Sequence, residues 1–533
     1  MTLQSTSRTT LAALAVGACL HLASTAHAAQ TCETLNKLDL PATSITRAEA
    51  VPAGGFTIPN GKALPNLPAF CRVTGIIKPS SDSNIYFEVW MPASNWNGKF
   101  QGAGNGGFAG LIGYDQLGFA VAHNYATAGT DTGHHAESTD ASWALDHPEK
   151  IADFGYRAIH ETAVKAKAIL HAFYGEDPKR AYFSSCSNGG RQALMEAQRY
   201  PEDYDGIIAG APANYWTHLL ANAAWDNLAL LSDKDSFIPP KKLPAIQAAA
   251  LAACDAQDGV KDGVIEDPPR CHFDPAILQC QGAEQDSCLT APQVAALKKL
   301  YAGGRNAHGQ IFPGYSPGGE AEFGGWAVWI TGPAPERSLM YIFGTQFYKN
   351  MVFDSAAWDY HTFNADRDTK SADDKQSGNL NATDANLDRF RERGGKLILY
   401  HGWSDAANAP ENTIDYYDSV AAKMGAQQTG TFVRLFMVPG MQHCGGGSGT
   451  NSFGQYPGAA GDPDHDMDAA LERWVEKGAA PERIVAAKRK SDFDPASAVV
   501  RTRPLCAYPL VARYQGSGST DDAANFVCAK RVK

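Results

Sequence analysis

The sequence predicts an α/β fold built on a parallel sheet, with a second domain inserted into it. A strand, a tight turn and a helix follow one another within residues 180–200, and another strand pattern covers 204–209. Strand–helix–strand units of this length place both strands parallel in one sheet. Regular strand and helix patterns resume only at residue 396, after a long stretch of different composition. We therefore expect an α/β domain in two parts, 29–214 and 386–533, with an inserted lid domain over 215–385.

Bulk composition narrows the class of protein further. The chain has 533 residues, of which 44% are apolar and 19% charged, so it can bury a sizeable core and is not intrinsically disordered. Asp and Glu outnumber Lys and Arg by 57 to 46. This balance is atypical of nucleic-acid binders, which rely on a basic surface, and we expect no nucleic-acid partner.

The first part of the α/β domain contains four further predicted elements. Residues 85–91 alternate like a half-buried strand, and 99–101 form a strand that leads into the glycine-rich turn 102–107. Such a turn lets backbone amides approach a ligand closely. Residues 119–127 are predicted as a buried strand, and 159–173 as an amphipathic helix.

The second part repeats the alternation of strand and helix. Residues 396–400 are predicted as a buried strand, 412–424 as a helix, 431–438 as a strand and 466–477 as a helix. Both strands are expected to join the same parallel sheet.

The N-terminus has the features of a secretory signal over residues 1–28. An apolar run over 11–23 is too short to span a bilayer, and Ala26-His27-Ala28 supplies a small-residue cleavage site. A buried N-terminal helix is the alternative. No later stretch is long and apolar enough for a membrane anchor. We therefore expect an exported protein, periplasmic or secreted.

The cysteines are consistent with export. The chain has 11 Cys, and loss of Cys19 with the signal leaves an even number, as in disulfide-bonded proteins. Spacing does not fix connectivity, and buried free thiols are the alternative. Sequence neighbours suggest a hypothesis of five pairs: Cys32 with Cys71, Cys254 with Cys271, Cys280 with Cys288, Cys506 with Cys528, and Cys186 with Cys444. Closure of so long a loop by the last pair stabilises a fold by roughly 4–5 kcal/mol.

Ser187 lies at the corner between the predicted strand and helix. A serine on such a strained turn is typical of a catalytic nucleophile, and the next backbone amide, from Asn188, can face a developing oxyanion. The usual motif is G-x-S-x-G, and here Ser185 replaces its first glycine, so the motif is only partly met. A helix N-cap serine followed by packing glycines is the alternative.

Two further residues complete a candidate catalytic triad. Asp405 follows the strand 396–400, and His443 follows the strand that ends at Val438. Both therefore lie at carboxyl ends of parallel strands, where open α/β sheets place their sites. The order Ser, Asp, His is that of α/β-hydrolases, so the expected fold is an α/β-hydrolase fold with an inserted lid domain. Ser187 would attack an acyl carbon, His443 would transfer the proton, and Asp405 would orient the imidazole.

A second oxyanion donor is expected from the glycine-rich turn. Gly106 or Gly107 could supply a backbone N–H, as the corresponding loop does in hydrolases. A simple turn without catalytic function is the alternative.

The residues around the triad resemble one hydrolase family. Cys186 directly precedes Ser187, and Cys444 directly follows His443. This C-S…D…H-C pattern resembles the tannase and feruloyl esterase family of α/β-hydrolases, which also includes mono(2-hydroxyethyl) terephthalate hydrolases. The resemblance covers Cys32 to Cys528. It implies a serine ester hydrolase with five disulfides that agree with the suggested pairs, a lid before the acid and base, and no organic cofactor.

An acidic loop over 254–267 begins the lid. Its three Asp with interleaved Gly suit an oxygen-ligated cation such as calcium. The spacing is not that of an EF-hand, because Val260 stands two positions after Asp258. A solvated acidic loop is the alternative. The family resemblance implies structural calcium held by the carboxylates of Asp255, Asp258 and Asp262 and the backbone carbonyls of Val260 and Val264.

The resemblance also implies a class of substrate: small aromatic acyl esters such as hydroxycinnamates, gallates or terephthalate monoesters. Arg337 could pair with the free carboxylate of a terephthalate monoester. The alternative is that Arg337 is a surface arginine without a role in binding. Trp403 is expected to line the acyl pocket. Aromatic residues of the lid are candidates for stacking on the acyl ring: Trp326, Trp329, Phe343, Phe347, Tyr348 and Phe353.

Feruloyl esterase activity is the first functional hypothesis. Tannase and mono(2-hydroxyethyl) terephthalate hydrolase activities are alternatives with the same mechanism. A non-catalytic, calcium-dependent binding protein on a hydrolase scaffold is an alternative of another class. A zinc hydrolase has little support, because the sequence contains no HExxH and no CxxC. The sequence predicts no particular oligomeric state.

Overall fold

A nine-stranded mixed sheet forms the centre of the structure, a computed structural model that describes residues 1–2, 31–59, 61–455, 461–492, 494 and 496–531. In chain order the strands are β1 (Thr43–Val51), β2 (Phe70–Ile77), β3 (Ile85–Pro92), β4 (Lys99–Ala103), β5 (Ala126–Thr130), β6 (Arg180–Cys186), β7 (Gly206–Gly210), β8 (Lys396–Gly402) and β9 (Val433–Val438).

The spatial order of the strands is β1-β2-β3-β5-β4-β6-β7-β8-β9. The pairs at one end, β1 with β2, β2 with β3 and β3 with β5, are antiparallel. The remaining pairs, from β5–β4 to β8–β9, are parallel. The carboxyl ends of β6, β8 and β9 therefore meet at one edge of the sheet, as the sequence predicts.

Helices cover both faces of the sheet because its central strands are apolar on both sides. In β6, Phe183 packs with the helices Ala158–Tyr174 and Asn188–Arg199, whereas Tyr182 packs with the helix Met467–Lys477 on the other face. Continuous apolar runs of this kind are typical of parallel strands. The remaining α-helices are Tyr114–Ala122, Pro148–Ala152, Trp216–Leu231, Leu243–Cys254, Ala291–Ala302, Trp326–Trp329, Leu339–Phe347, Ala365–Leu380, Asp388–Glu392, Glu411–Met424 and Ala426–Thr429.

The whole segment 211–395 connects two adjacent parallel strands, β7 and β8. Its helices bury two apolar clusters, of which one also includes Phe108, Ile151 and Phe154 from the first part of the chain. Four small hairpins complete the described structure: Gly54–Thr57 with Ala63–Leu67, Arg305–Asn306 with Gly309–Gln310, Arg483–Arg489 with Val499–Cys506, and Leu510–Tyr514 with Phe526–Lys530.

The prediction of a strand over 119–127 is wrong. The helix Tyr114–Ala122 covers the first four residues of that stretch, and β5 begins only at Ala126. The helix buries Leu117, Ala120 and Val121, three and four positions apart, on one face. Asn124, with φ of 64°, then turns the chain into β5. The other predicted strands and helices are present with bounds that shift by a few residues.

Five disulfides connect the described residues, in the pairs suggested from the sequence: Cys32–Cys71, Cys186–Cys444, Cys254–Cys271, Cys280–Cys288 and Cys506–Cys528. No helix in the described part of the chain is both long and apolar enough to cross a membrane. The predicted signal segment 1–28 lies outside the described residues apart from its first two positions.

Candidate active site

Ser187 occupies a strained turn between β6 and the helix Asn188–Arg199. Its φ of 66° and ψ of −127° are unusual for a residue with a side chain. Its N–H donates to the Gly210 carbonyl of β7 at 2.9 Å, and its carbonyl accepts from Arg191 N–H. The helix approaches the strand so closely that a Cβ at position 189 would lie 2.0 Å from Ser185 Oγ. Glycine at position 189 therefore permits the turn that presents Ser187.

The structure brings the three predicted triad residues together. His443 Nε2 lies 2.8 Å from Ser187 Oγ, and His443 Nδ1 lies 2.7 Å from Asp405 Oδ2. Asp405 is 1% exposed, whereas Ser187 and the His443 ring are partly open to solvent. This geometry allows the imidazole to take a proton from the serine while the carboxylate fixes its orientation.

Asp405 is held as an ion by its surroundings. Its Oδ1 accepts backbone N–H groups from Ala407 at 2.7 Å and Asn408 at 2.9 Å. A second histidine, His401, donates from Nε2 to Asp405 Oδ2 at 3.0 Å. Burial works to raise the pKa of Asp405, but the charge of His443 and the hydrogen bonds from His401 and His443 hold that pKa well below its ordinary value.

Two backbone amides adjoin the nucleophile. Asn188 is the first residue of its helix, so its N–H has no acceptor within the helix, and both Asn188 and Gly107 line the cleft around Ser187. Gly107 has φ of 54°, and a Cβ there would lie 2.3 Å from the Ser138 carbonyl. Gly106 is more exposed and does not line the cleft.

Two side chains that the sequence analysis did not single out support these amides. Gln192 accepts from Asn105 N–H at 2.9 Å and donates to Asn105 Oδ1 at 3.0 Å. These two bonds fix the glycine-rich turn 102–107 against the helix Asn188–Arg199. The fully buried Arg191 donates to Asn188 Oδ1 at 2.8 Å and lies over the Trp216 ring. Burial lowers the pKa of Arg191 to about 9.

A cleft opens beside Ser187 and His443. The Trp329 ring lies edge-to-face with His443, with centroids 5.0 Å apart, and stacks on Phe343. Beyond the triad and the two amides, the lining is apolar or neutral: Trp216, Leu219, Leu220, Trp329, Met340, Phe343, Ala407 and Asn408.

Other predicted substrate residues do not reach this cleft. Trp403 is 2% exposed and packs in the sheet core with Tyr416 and Val420, because its N–H continues the pairing with β9 by donating to the Val438 carbonyl. Arg337 is exposed in the loop before the helix Leu339–Phe347. Four of the six candidate aromatics of the segment 215–385 also lie outside the lining of the cleft: Trp326, Phe347, Tyr348 and Phe353.

The predicted calcium loop is folded tightly around its carboxylates. Asp255 accepts the backbone N–H groups of Asp262 and Gly263, Asp258 accepts that of Val260, and Asp262 accepts that of Val264, at 2.8–3.2 Å. Arg503 donates to Asp262 Oδ2 at 2.5 Å. The possible ligand atoms of the loop are oxygen atoms, which is the type that calcium prefers in proteins.

A different group of possible metal ligands lies on the helices Ala158–Tyr174 and Asn188–Arg199 and in the loop before β7. Among the described residues, only His160, Glu196 and Asp203 bring one possible ligand atom each within 4.8 Å of the others. His160 Nδ1 lies 2.6 Å from Asp203 Oδ2, and the Lys167 ammonium contacts the Asp203 carbonyl. Burial and the neighbouring Asp203 raise the pKa of Glu196 well above its ordinary value.

The sequence and structure match one family of esterases. The family described as tannase and feruloyl esterase matches residues 71–529. An uncharacterized esterase of Xanthomonas campestris is 48% identical over 96% of this chain and 93% of its own length. A probable feruloyl esterase B-2 of Aspergillus terreus is 32% identical over 92% of this chain and 94% of its own length.

Solved structures of esterases are similar to this chain as well. The crystal structure of feruloyl esterase B from Aspergillus oryzae is similar with a TM-score of 0.86 and 29% identity, over 93% of this chain and 99% of that one. The central sheet with helices on both faces is accordingly an α/β-hydrolase-type fold. The chain belongs to the tannase and feruloyl esterase family and is a carboxylic ester hydrolase.

Proposed function

We propose that this esterase cleaves small aromatic acyl esters through an acyl-enzyme on Ser187. The observation that carries the proposal is the continuous chain of hydrogen bonds from Ser187 through His443 to Asp405, at 2.8 and 2.7 Å, which opens onto a cleft lined by aromatic side chains. An ionised Asp405 stabilises the imidazolium that forms when His443 takes the serine proton.

The proposed reaction has two halves. Ser187 Oγ attacks the acyl carbon, its proton passes to His443, and His443 returns that proton to the leaving alcohol. Water then attacks the acyl-enzyme, with His443 as general base, and releases the acid. In both halves the N–H groups of Asn188 and Gly107 stabilise the oxyanion; Gly107 is favoured over Gly106 because it lines the cleft.

The cleft favours a hydroxycinnamate such as ferulate as the acyl group. Trp329, Phe343 and Leu220 offer flat apolar surface for an aromatic ring. Among the described residues, no Lys or Arg lines the cleft, and Arg337 is exposed outside it. The free carboxylate of a terephthalate monoester would lose hydration there without gaining a cationic partner.

We expect kcat/KM for methyl ferulate to exceed that for mono(2-hydroxyethyl) terephthalate by about 100-fold, because an unpaired charge is strongly disfavoured in an apolar site. Methyl gallate should lie between them. Steady-state hydrolysis of the three esters by the purified protein tests this order. Phe343→Ala should raise KM for methyl ferulate, because Phe343 lines the cleft. Phe353→Ala should leave KM unchanged, because Phe353 is half-buried outside the cleft. Preference for the terephthalate ester would contradict the proposed pocket.

We also propose that the loop 254–267 binds structural calcium through Asp255, Asp258 and Asp262 and the carbonyls of Val260 and Val264. Burial and the charges of Asp262 and Asp255 raise the pKa of Asp258 to about 6. The hydrogen bond from Val260 N–H and the charge of Arg503 lower this pKa but do not cancel the increase. The loop therefore concentrates negative charge that a cation would offset. The bound ion would cross-link the loop that begins the lid.

Removal of calcium should therefore lower the melting temperature and leave the chemistry of Ser187 intact at low temperature. Elemental analysis and thermal unfolding before and after dialysis against a chelator measure both effects. In Asp258→Asn, the chelator should no longer lower the melting temperature. In Asp286→Asn, which changes an exposed carboxylate outside the loop, the chelator should lower it as in the wild type. A protein that contains no calcium as purified and unfolds identically with added calcium would refute the site.

The remaining parts of the proposal concern organisation and location. The segment 215–385 acts as a lid domain inserted between the hydrolase parts 29–214 and 386–533, which is supported by the connection of β7 to β8 through it. Export, to the periplasm or the medium, is supported by five disulfides, which persist in oxidising compartments.

A further inference from the structure

A second histidine binds the same carboxylate oxygen as the catalytic histidine. His401 Nε2 lies 3.0 Å from Asp405 Oδ2, and His443 Nδ1 lies 2.7 Å from that same atom. The other oxygen, Oδ1, accepts two backbone N–H groups. The Asp405 carboxylate therefore accepts four hydrogen bonds, two on each oxygen, and His401 supplies one of the two that meet on Oδ2.

The neighbours of His401 fix which of its nitrogens carries the proton. Nε2 faces only acceptors, namely Asp405 Oδ2 and the Asn408 carbonyl, each at 3.0 Å, so Nε2 must be the donor. Nδ1 lies 2.7 Å from the Thr413 hydroxyl. His401 and Thr413 are both 0% exposed, so solvent cannot replace either contact. A chain of hydrogen bonds thus runs from the buried Thr413 and His401 through Asp405 and His443 to Ser187.

We propose that His401 is a positioning residue that sets how strongly Asp405 stabilises the protonated form of His443. The inference rests on the proposed serine mechanism and extends it behind the triad. By donating to Oδ2, His401 disperses negative charge on the oxygen that His443 uses and prevents the carboxylate from rotating. The lining of the cleft does not include His401, so His401 acts on the site through its contacts with Asp405 and the Asn408 carbonyl.

Loss of this hydrogen-bond donor should shift the pH profile of kcat/KM in one direction. With one donor fewer, Oδ2 becomes a stronger acceptor and the imidazolium of His443 becomes more stable. A larger share of the free enzyme then holds a protonated His443, which cannot take the Ser187 proton. The acid limb of the pH profile of kcat/KM therefore moves to higher pH. Because His401 does not touch the substrate, KM should change little.

Other titratable or aromatic groups lie near Asp405 and His443. Burial and the charges of Asp226 and Asp405 raise the pKa of Tyr315, whose hydroxyl donates to Asp226 at 2.9 Å, and His443 faces Trp329 and Ser187. None of these groups contacts His401, so the variants below leave them in place.

His401→Leu and His401→Gln test the proposal in the full-length mature protein, with 4-nitrophenyl acetate as a substrate that is independent of the acyl pocket. His401→Leu should lower kcat on the order of 10-fold. Its acid limb should rise by about half a pH unit or more. The amide of His401→Gln can donate to the same oxygen and should restore most of the wild-type profile. A folded His401→Leu with the wild-type acid limb, or equal shifts in both variants, would overturn the inference.

Thr413→Val keeps the proposal testable if His401→Leu does not fold. It removes the contact to Nδ1 and should produce a smaller shift in the same direction. Thr429→Val is the matched control, because Thr429 is equally buried and its hydroxyl has no hydrogen-bond partner among the described residues. The same shift in both threonine variants would indicate a general effect of burial and would contradict the role of His401.

Ser187→Ala in the same assay separates this inference from the mechanism on which it rests. If Ser187→Ala hydrolyses the ester like the wild type, the serine mechanism itself is wrong. If Ser187→Ala is inactive while folded His401→Leu keeps the wild-type pH profile and kcat, only the positioning role of His401 is wrong.

Discussion

Replacement of Ser187 by alanine should reduce kcat by about 10⁵-fold, because the nucleophile of a serine triad cannot be replaced by its neighbours. The fold should survive. Alanine retains the Cβ atom, so the positive φ of 66° is no more strained than with serine, and the backbone contacts to Gly210 and Arg191 do not involve the side chain. Steady-state hydrolysis of methyl ferulate, with thermal unfolding of the same sample, measures both quantities.

Ser185→Ala is the matched control for that variant. Ser185 lies in β6, two positions before Ser187, and its Oγ faces the positions of Gly104 and Gly189. We expect Ser185→Ala to keep most of the activity. Similar activity in the two variants, both folded, would show that Ser187 is not the nucleophile.

Removal of the Cys186–Cys444 disulfide should affect both stability and catalysis. The bridge joins residues 258 apart in sequence, and its loss in the double alanine variant should lower the free energy of unfolding by roughly 4–5 kcal/mol. It also joins the neighbours of Ser187 and His443, and both Ser187 and Cys444 adopt left-handed backbone conformations, at φ of 66° and 64°. Without the bridge we expect kcat to fall on the order of 10-fold, because the two reacting side chains are held less precisely.

Removal of the Cys280–Cys288 disulfide is the comparison. That bridge closes a loop of 8 residues in the lid and should contribute only about 2.5 kcal/mol by the same chain-entropy argument. Because it lies outside the cleft, kcat should stay at the wild-type value. Chemical denaturation and steady-state kinetics of both double variants measure these effects. Wild-type kcat in folded protein without the Cys186–Cys444 bridge would contradict its catalytic role.

Much of the candidate site follows from the sequence because it depends on strand ends. The positions of Ser187, Asp405 and His443 after predicted parallel strands place them at one edge of the sheet, and the structure brings them within hydrogen-bonding distance. The sequence does not distinguish His401 from an ordinary core histidine, since its role depends on which way Asp405 turns. Gln192 and Arg191 are likewise recognisable only from their contacts.

The errors have physical causes as well. The apolar run before Asn124 suits a strand or a buried helix, and only the packing of Leu117 and Val121 decides for the helix. Trp403 stands two positions before Asp405, yet the pairing of its backbone with β9 turns its side chain into the core. Arg337 lies in a loop and most of the candidate aromatics lie on short helices, and the spacing of residues along the chain does not determine how that loop and those helices pack.

Detection of the acyl-enzyme tests the central claim most directly. The protein is mixed with excess methyl ferulate, quenched in acid within the first turnovers, digested and examined by mass spectrometry. The account predicts one feruloyl group on the peptide that contains Ser187, and none in Ser187→Ala. Rapid turnover of the ester in steady state, with the acyl group found on another residue or with Ser187→Ala equally active, would contradict it.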